Sequence, residues 1–194
     1  MSVAAGAGPW LIVLAGPNGA GKSTFYELFL EGLPVPFINA DRIARSVFGD
    51  RSGVAYEAAQ LAEAERRRLV AERRSFVMET VFSDPAGDKV EFLQQARRAG
   101  FFVVLAYIGL DSPALAAARV AHRVRNGGHD VPQERISSRF GRSLANLRKA
   151  LRTVDHVYLY DNSGAPYVRV AELARGRLLW RAARRPPWLR GVLP

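Results

Sequence analysis

Residues Gly16-Pro17-Asn18-Gly19-Ala20-Gly21-Lys22-Ser23 fit G-x-x-x-x-G-K-[ST], the pattern of a loop that wraps the phosphates of a nucleotide. Gly16, Gly19 and Gly21 leave the backbone free to turn successive N–H groups toward one anion, and a helix opening at Lys22 adds its unpaired N–H groups and positive dipole end. In this reading Lys22 reaches the β/γ-phosphates of ATP, the Ser23 hydroxyl ligates Mg2+, and Thr24 closes the set of nucleotide contacts. Only three lysines stand beside 25 arginines in the chain, and one of them falls here.

Such a loop needs a strand before it and a helix after it. Trp10–Ala15 is a short apolar run suited to a buried parallel strand, and Thr24–Leu30 reads as the helix. Four more strands are expected over 37–40, 75–80, 101–108 and 156–160. Between them, helices are expected over 41–48, over 54–74 with a Glu63–Arg67 pair, and from Asp84-Pro85 to Arg98. Two more follow: one opened by Asp111-Ser112-Pro113 and closed by Asn126-Gly127-Gly128, and one with an apolar face of Ile136, Phe140, Leu144, Leu147 and Leu151. On that last helix Arg135, Arg139, Arg142, Asn146 and Lys149 form a rotated polar stripe. The alternation predicts an α/β fold, a P-loop kinase-like doubly wound parallel sheet of about five strands with helices on both faces. A small hairpin turning at Arg175-Gly176 follows. A single domain spans 1–180, with a lid near 119–142 and a basic tail over 181–194.

With 194 residues and 48% hydrophobic content the chain can build one ordinary core. The net charge of +10 points to anionic partners, among them nucleotides, nucleotide sugars, nucleic acids and acidic proteins. The absence of cysteine excludes disulfides, cysteine metal sites and a thiol nucleophile, and His122, His129 and His156 lack the spacing of zinc ligands. Met1–Gly8 carries no basic segment and precedes an apolar run of only six residues, so the expectation is a cytoplasmic protein with no membrane partner.

In open α/β sheets ligands sit outside the carboxyl ends of the strands, which singles out Asp41, Glu79 and Asp161 beside Gly16. Asp41 is either the cap of its helix or the carboxylate that orients an acceptor hydroxyl and takes its proton. Glu79 ends an apolar strand and needs a partner. The candidates are Mg2+, directly or through water, a substrate hydroxyl shared with Thr80, or an ion pair with Arg42 or Arg45. Arg123, Arg125 and Arg139 flank a Gly-Gly loop and suit a lid that neutralises charge on the transferring phosphoryl group. His129 in that loop is a substrate-contact candidate, and Asn162, just after the fifth strand, is a candidate for the nucleotide base.

The chain resembles the zeta toxin family of P-loop kinases, in particular its small bacterial chromosomal zeta-like branch. The resemblance is carried by residues 15–24, Phe37-Ile38-Asn39-Ala40-Asp41, Phe76-Val77-Met78-Glu79-Thr80, the run Arg123–Pro132 and Tyr160-Asp161-Asn162-Ser163. It implies ATP-dependent phosphorylation of a hydroxyl on a small molecule, with Asp41 as base and Lys22 as the phosphate-binding lysine. Family members act on UDP-N-acetylglucosamine and are held inactive by an antitoxin protein, so both enter as implied partners. Here Thr80-Val81-Phe82-Ser83 follows Glu79, where plasmid-type toxins place glycine, threonine and arginine, which leaves the acceptor open. A kinase of nucleosides, nucleotides or RNA ends, and an ATP-regulated nucleic-acid-binding protein using Arg175–Arg190 as a basic arm, are the competing readings.

Overall fold

The most apolar run in the chain becomes the middle of a sheet. Strand β4 (Phe102–Gly109) is buried at every residue but its first. It lies between β1 (Trp10–Ala15) and β5 (His156–Asp161), as a strand covered on both faces must. The computed structural model, which describes residues 8–49, 51, 53–125, 131–164 and 166–193, sets β3 (Phe76–Thr80) and the two-residue β2 (Phe37–Ile38) on the other side of β1. All five are parallel. Instead of a separate hairpin, β6 (Val168–Ala174) and β7 (Arg177–Arg181) extend the same sheet antiparallel from β5, so about five strands becomes seven, in the order β2-β3-β1-β4-β5-β6-β7. Their turn is Arg175-Gly176, with φ of 48° and 78°, the positive values a two-residue hairpin turn requires.

Helices cover both faces. On one, α1 (Lys22–Phe29), α5 (Pro113–Arg125) and the first turns of α6 (Gln133–Ala150) bury Phe25, Val120, Ile136 and Phe140 against Ile12, Leu14, Val104 and Ile108. On the other, α3 (Ala55–Ala71), α4 (Asp88–Arg98) and the later turns of α6 bury Leu69, Leu93 and Leu147 against Leu11, Val13, Met78 and Leu105. The apolar face read on α6 is present, with Leu144 partly buried between the two layers.

Two helix starts differ from expectation. Asn39, not Asp41, caps the helix after β2, its side chain accepting from Arg42 N at 3.0 Å. That helix, α2 (Ala40–Ile43), runs into a π-helical turn at Ala44–Phe48. The helix expected from Asp84 starts at Asp88, after a left-handed Gly87. The cause lies in α6: Asn146 donates to Phe82 O and Asp84 O at 3.1 and 3.0 Å, and Arg142 Nε donates to Ser83 O at 2.9 Å. The polar stripe thus pins an extended loop and delays the helix. The basic tail is ordered at Pro187–Leu189, a 3-10 turn whose Trp188 and Leu189 are buried. Among the described residues no helix is long and apolar enough to cross a membrane.

Glu63 pairs with Arg67 at 3.0 Å as expected, and also accepts from Arg66 at 2.7 Å and from Lys89 of α4 at 2.9 Å, tying two helices together. Partial burial alone would raise its pKa, but the hydrogen bonds from Arg66 and Lys89 outweigh that effect and hold the carboxyl at about 2. A carboxyl depressed in the fold contributes stability that is complete above its ordinary value of 4.5 and lost as the pH falls through the folded value. Urea unfolding of Glu63→Gln and the parent should therefore differ at neutral pH and converge as the pH drops below 4.5. A gap that stays constant across that window would contradict this role.

Candidate functional site

The Gly16–Ser23 loop leaves β1 at its carboxyl end and enters α1 without a side-chain cap, so the first N–H groups of the helix are left for a ligand. Gly16 has φ of 146°, and a Cβ there would overlap the Ile108 carbonyl of β4. Gly21 has φ of 84°, and a Cβ would come within 2.8 Å of both the Asn162 amide and the Tyr167 hydroxyl. Glycine is required at both positions. Asn18 Oδ1 is buried in the loop with no hydrogen-bond partner among the described residues.

Parallel register brings the acidic side of the site to the loop. Leu14 of β1 lies opposite Glu79 of β3, and Ile38 of β2 opposite Met78, so Asn39, the first residue past β2, comes level with Glu79. Glu79 Oε2 accepts from Ser23 Oγ at 3.0 Å and from Asn39 Nδ2 at 2.8 Å, while Oε1 lies 3.8 Å from Lys22 Nζ. The alternative ion pair with Arg42 or Arg45 is not formed. Arg42 lies instead against the Tyr26 and Phe37 rings and 3.7 Å from Glu27. Lys22 is buried and also donates to Pro17 O at 3.1 Å. Burial pulls its pKa down; Glu79 and Asp41 oppose that, and Arg123 adds to it. Lys22, Glu79, Asp41 and Arg123, widely separated in sequence, thus share one electrostatic neighbourhood. Asp41 sits exposed in the first turn of α2.

The other candidates divide. Thr80 Oγ1 accepts from Phe82 N at 3.0 Å and shapes the loop after β3. Arg125 is exposed at the end of α5. Arg139 is partly buried, and desolvation together with Arg135 and Arg142 depresses its pKa. His129 lies outside the described residues. Asn162 is buried and its Nδ2 donates to Ala20 O at 2.9 Å, bracing the phosphate loop.

Three contributors escaped the sequence reading. Asn39 orients Glu79 while capping α2, and an Asn just before a helical run is a readable cap signal. Tyr167 donates its hydroxyl to Gly21 O at 2.7 Å and packs its ring edge-on against Phe25 and Phe29. Arg119 donates to Ser163 O at 3.3 Å, joining α5 to the loop after β5. The last two contacts span more than 40 residues of sequence and leave no local trace.

The sequence matches the AAA domain family over residues 11–150, from β1 to the end of α6. This chain belongs to that family. An uncharacterized protein of Haemophilus influenzae is 27% identical over 130 residues, covering 66% of this chain and 91% of its own length. Among solved structures, a chain of the PezAT chromosomal toxin–antitoxin system of Streptococcus pneumoniae superposes with a TM-score of 0.65 at 17% identity, over 86% of this chain and 73% of that one. The AvrRxo1-ORF1:AvrRxo1-ORF2 complex contributes a chain with a TM-score of 0.68 at 19% identity, over 88% of this chain and 60% of that one, so this chain spans less than two thirds of its length. At such identities the likeness is one of fold.

In this AAA-domain chain the three lysines allow Lys22 to be followed individually by NMR. Because Glu79 raises the Lys22 pKa and burial lowers it, the titration midpoint should lie below the ordinary 10.5 and fall further in Glu79→Gln. An unchanged or higher midpoint in the variant would contradict the coupling.

Proposed function

We propose that this AAA-domain chain is an ATP- and Mg2+-dependent kinase that phosphorylates a hydroxyl of a small molecule. The observation that carries the reading is the meeting of Lys22, Ser23 and Glu79 at the mouth of a complete phosphate loop, with Asp41 close enough to act on the Lys22 charge. The loop amides and Lys22 bind the β/γ-phosphates of the donor. Asp41 orients the acceptor hydroxyl and takes its proton as the new oxygen–phosphorus bond forms and the bond from the γ-phosphorus to the bridging oxygen of ATP breaks. Arg123, with Arg125 and Arg139 from the lid, offsets the charge on the equatorial oxygens.

The donor set at Ser23 and Glu79 is all oxygen and fits a hard divalent cation. Those two residues would hold Mg2+, Glu79 directly or through water, and the ion supplies charge neutralisation on the phosphate oxygens. Nucleotide use is further supported by the ATP complex of AvrRxo1-ORF1:-ORF2, whose chain shares this fold. For the acceptor we favour a UDP-N-acetyl sugar, on the zeta-like resemblance. The fold likeness to a chain of the PezAT toxin–antitoxin system supports an antitoxin protein as partner. The net charge of +10 keeps nucleosides and RNA ends as the competing acceptors.

The test is transfer of 32P from labelled ATP to UDP-N-acetyl sugars, nucleosides and RNA 5′ ends, with Lys22→Ala and Asp41→Asn as controls. Label should appear on a small-molecule hydroxyl. Lys22→Ala should lose ATP binding, and Asp41→Asn should bind ATP normally while losing on the order of 10²–10⁴ in transfer. Equal loss of ATP affinity in the two variants would contradict the division of roles, and label on RNA ends alone would replace the acceptor assignment.

A further inference from the structure

Arginines gather at the end of the sheet opposite the phosphate loop. There the last turn of α4 and the turn after α6 bound an open cleft of about 350 Å³, lined by Gln94, Arg97, Arg98, Arg152 and Thr153. Arg98 just precedes β4 and Thr153 just precedes β5, so the cleft stands at the amino ends of the strands, whereas the phosphate loop leaves a carboxyl end. Arg97 is fixed in place: its Nε lies 3.2 Å from Asp155 Oδ1 and its Nη1 donates to Thr153 O at 3.0 Å. Asp155 is buried, accepts from Val103 N at 3.0 Å through Oδ2, and lies 3.7 Å from Arg175 Nε, so its charge is committed to the fold. Arg98 and Arg152 are exposed and form no ion pair among the described residues. More cations stand beside each wall. The hairpin turn that carries Arg175 packs on Arg152, whose Cγ would lie 3.2 Å from a Cβ at Gly176, and Arg73 Nη1 donates to Ala99 O at 2.7 Å, next to Arg98.

The helix dipole accounts for Arg97 and Arg98, which close α4, but not for Arg175, which a hairpin turn brings from another part of the chain. Arg73, Arg97, Arg98, Arg152 and Arg175 around one committed carboxylate leave a local excess of positive charge that an anion would relieve. The planar donors of a guanidinium match phosphate oxygens. A cleft that opens along the surface, with further cations beside it, suits a chain of phosphates better than a single enclosed one. We propose that this cleft binds the phosphodiester backbone of a single-stranded nucleic acid, apart from the phosphate loop and without reading the bases. The assignment does not depend on the kinase reading above. It also differs from a basic arm in the tail, since Arg184 and Arg185 take no part in it.

The probe is a single-stranded RNA of about twelve nucleotides, fluorescein-labelled at one end and phosphorylated at the other, followed by anisotropy across a salt series on the full chain. Arg98→Gln combined with Arg152→Gln should weaken binding about tenfold and make log K against log salt shallower by about 1.4, or about 0.7 for each lost phosphate contact. Both positions are exposed, so the fold should survive, which circular dichroism checks. Lys22→Ala, and separately Arg184→Gln combined with Arg185→Gln, should bind the RNA within about twofold of the parent. A loss in Lys22→Ala equal to that of the cleft variant would move the RNA to the phosphate loop. An equal loss in the tail variant would reduce the effect to net charge. Displacement by inorganic tripolyphosphate as strong as by unlabelled RNA of equal phosphate content would reassign the cleft to a free polyphosphate. Any of these results, or a parent that does not bind the RNA, overturns the proposal and leaves the kinase reading untouched.

Discussion

A buried ammonium beside a carboxylate at the carboxyl ends of the strands is the constraint on which the site depends. Lys22 and Glu79 are largely shielded from water, and taking charges out of water costs more than a 3.8 Å attraction returns unless other groups share the load. Here they do. Asn39 and Ser23 donate to the carboxylate, and the Pro17 carbonyl accepts from the ammonium. Even so, burial dominates, and the Lys22 pKa stays below its ordinary value. An anion with several oxygens, set among the loop amides, would relieve that imbalance. In the proposed reading that anion is the phosphate of the nucleotide.

The remaining architecture keeps that corner in place. Parallel register between β1 and β3 sets Glu79 one residue pair before the strand ends, beside the start of the loop. Asn162 and Tyr167 hold Ala20 O and Gly21 O from the far side of the sheet's centre, so the loop is braced by β5 and by the entry to β6. Asn146 and Arg142 do the same for the loop after β3, where Phe82 is buried with φ of 59°. An otherwise strained left-handed phenylalanine is tolerated because α6 holds its own carbonyl and the two that follow it.

What could be read from sequence follows the range of the interactions. The phosphate loop, the strand before it and the buried run of β4 depend on local residue types, and they appear where the spacing puts them. Helix α6 was legible from its apolar face, but its polar stripe reads as solvent-facing until the loop that Arg142 and Asn146 pin is seen. The start of α4 was misread for the same reason: Asp84-Pro85 is a sound local signal that a contact 62 residues away overrides. Of the two readings open for Asp41, the helix cap falls away, since Asn39 does the capping. The partner of Glu79 could not be chosen from sequence, because Arg42 and Ser23 are equally available until the register between strands is known.

In the proposed reading residues 16–23, braced by the loop after β5 and by Tyr167, form an anion site organised before the nucleotide arrives. Hydrogen exchange at backbone amides, with and without Mg2+ and ATP, tests this most directly. Nucleotide-dependent protection should concentrate at Gly19–Ser23 and at residues 161–164, and be absent in Lys22→Ala. Protection confined to other parts of the chain, or none at saturating ATP, would contradict it.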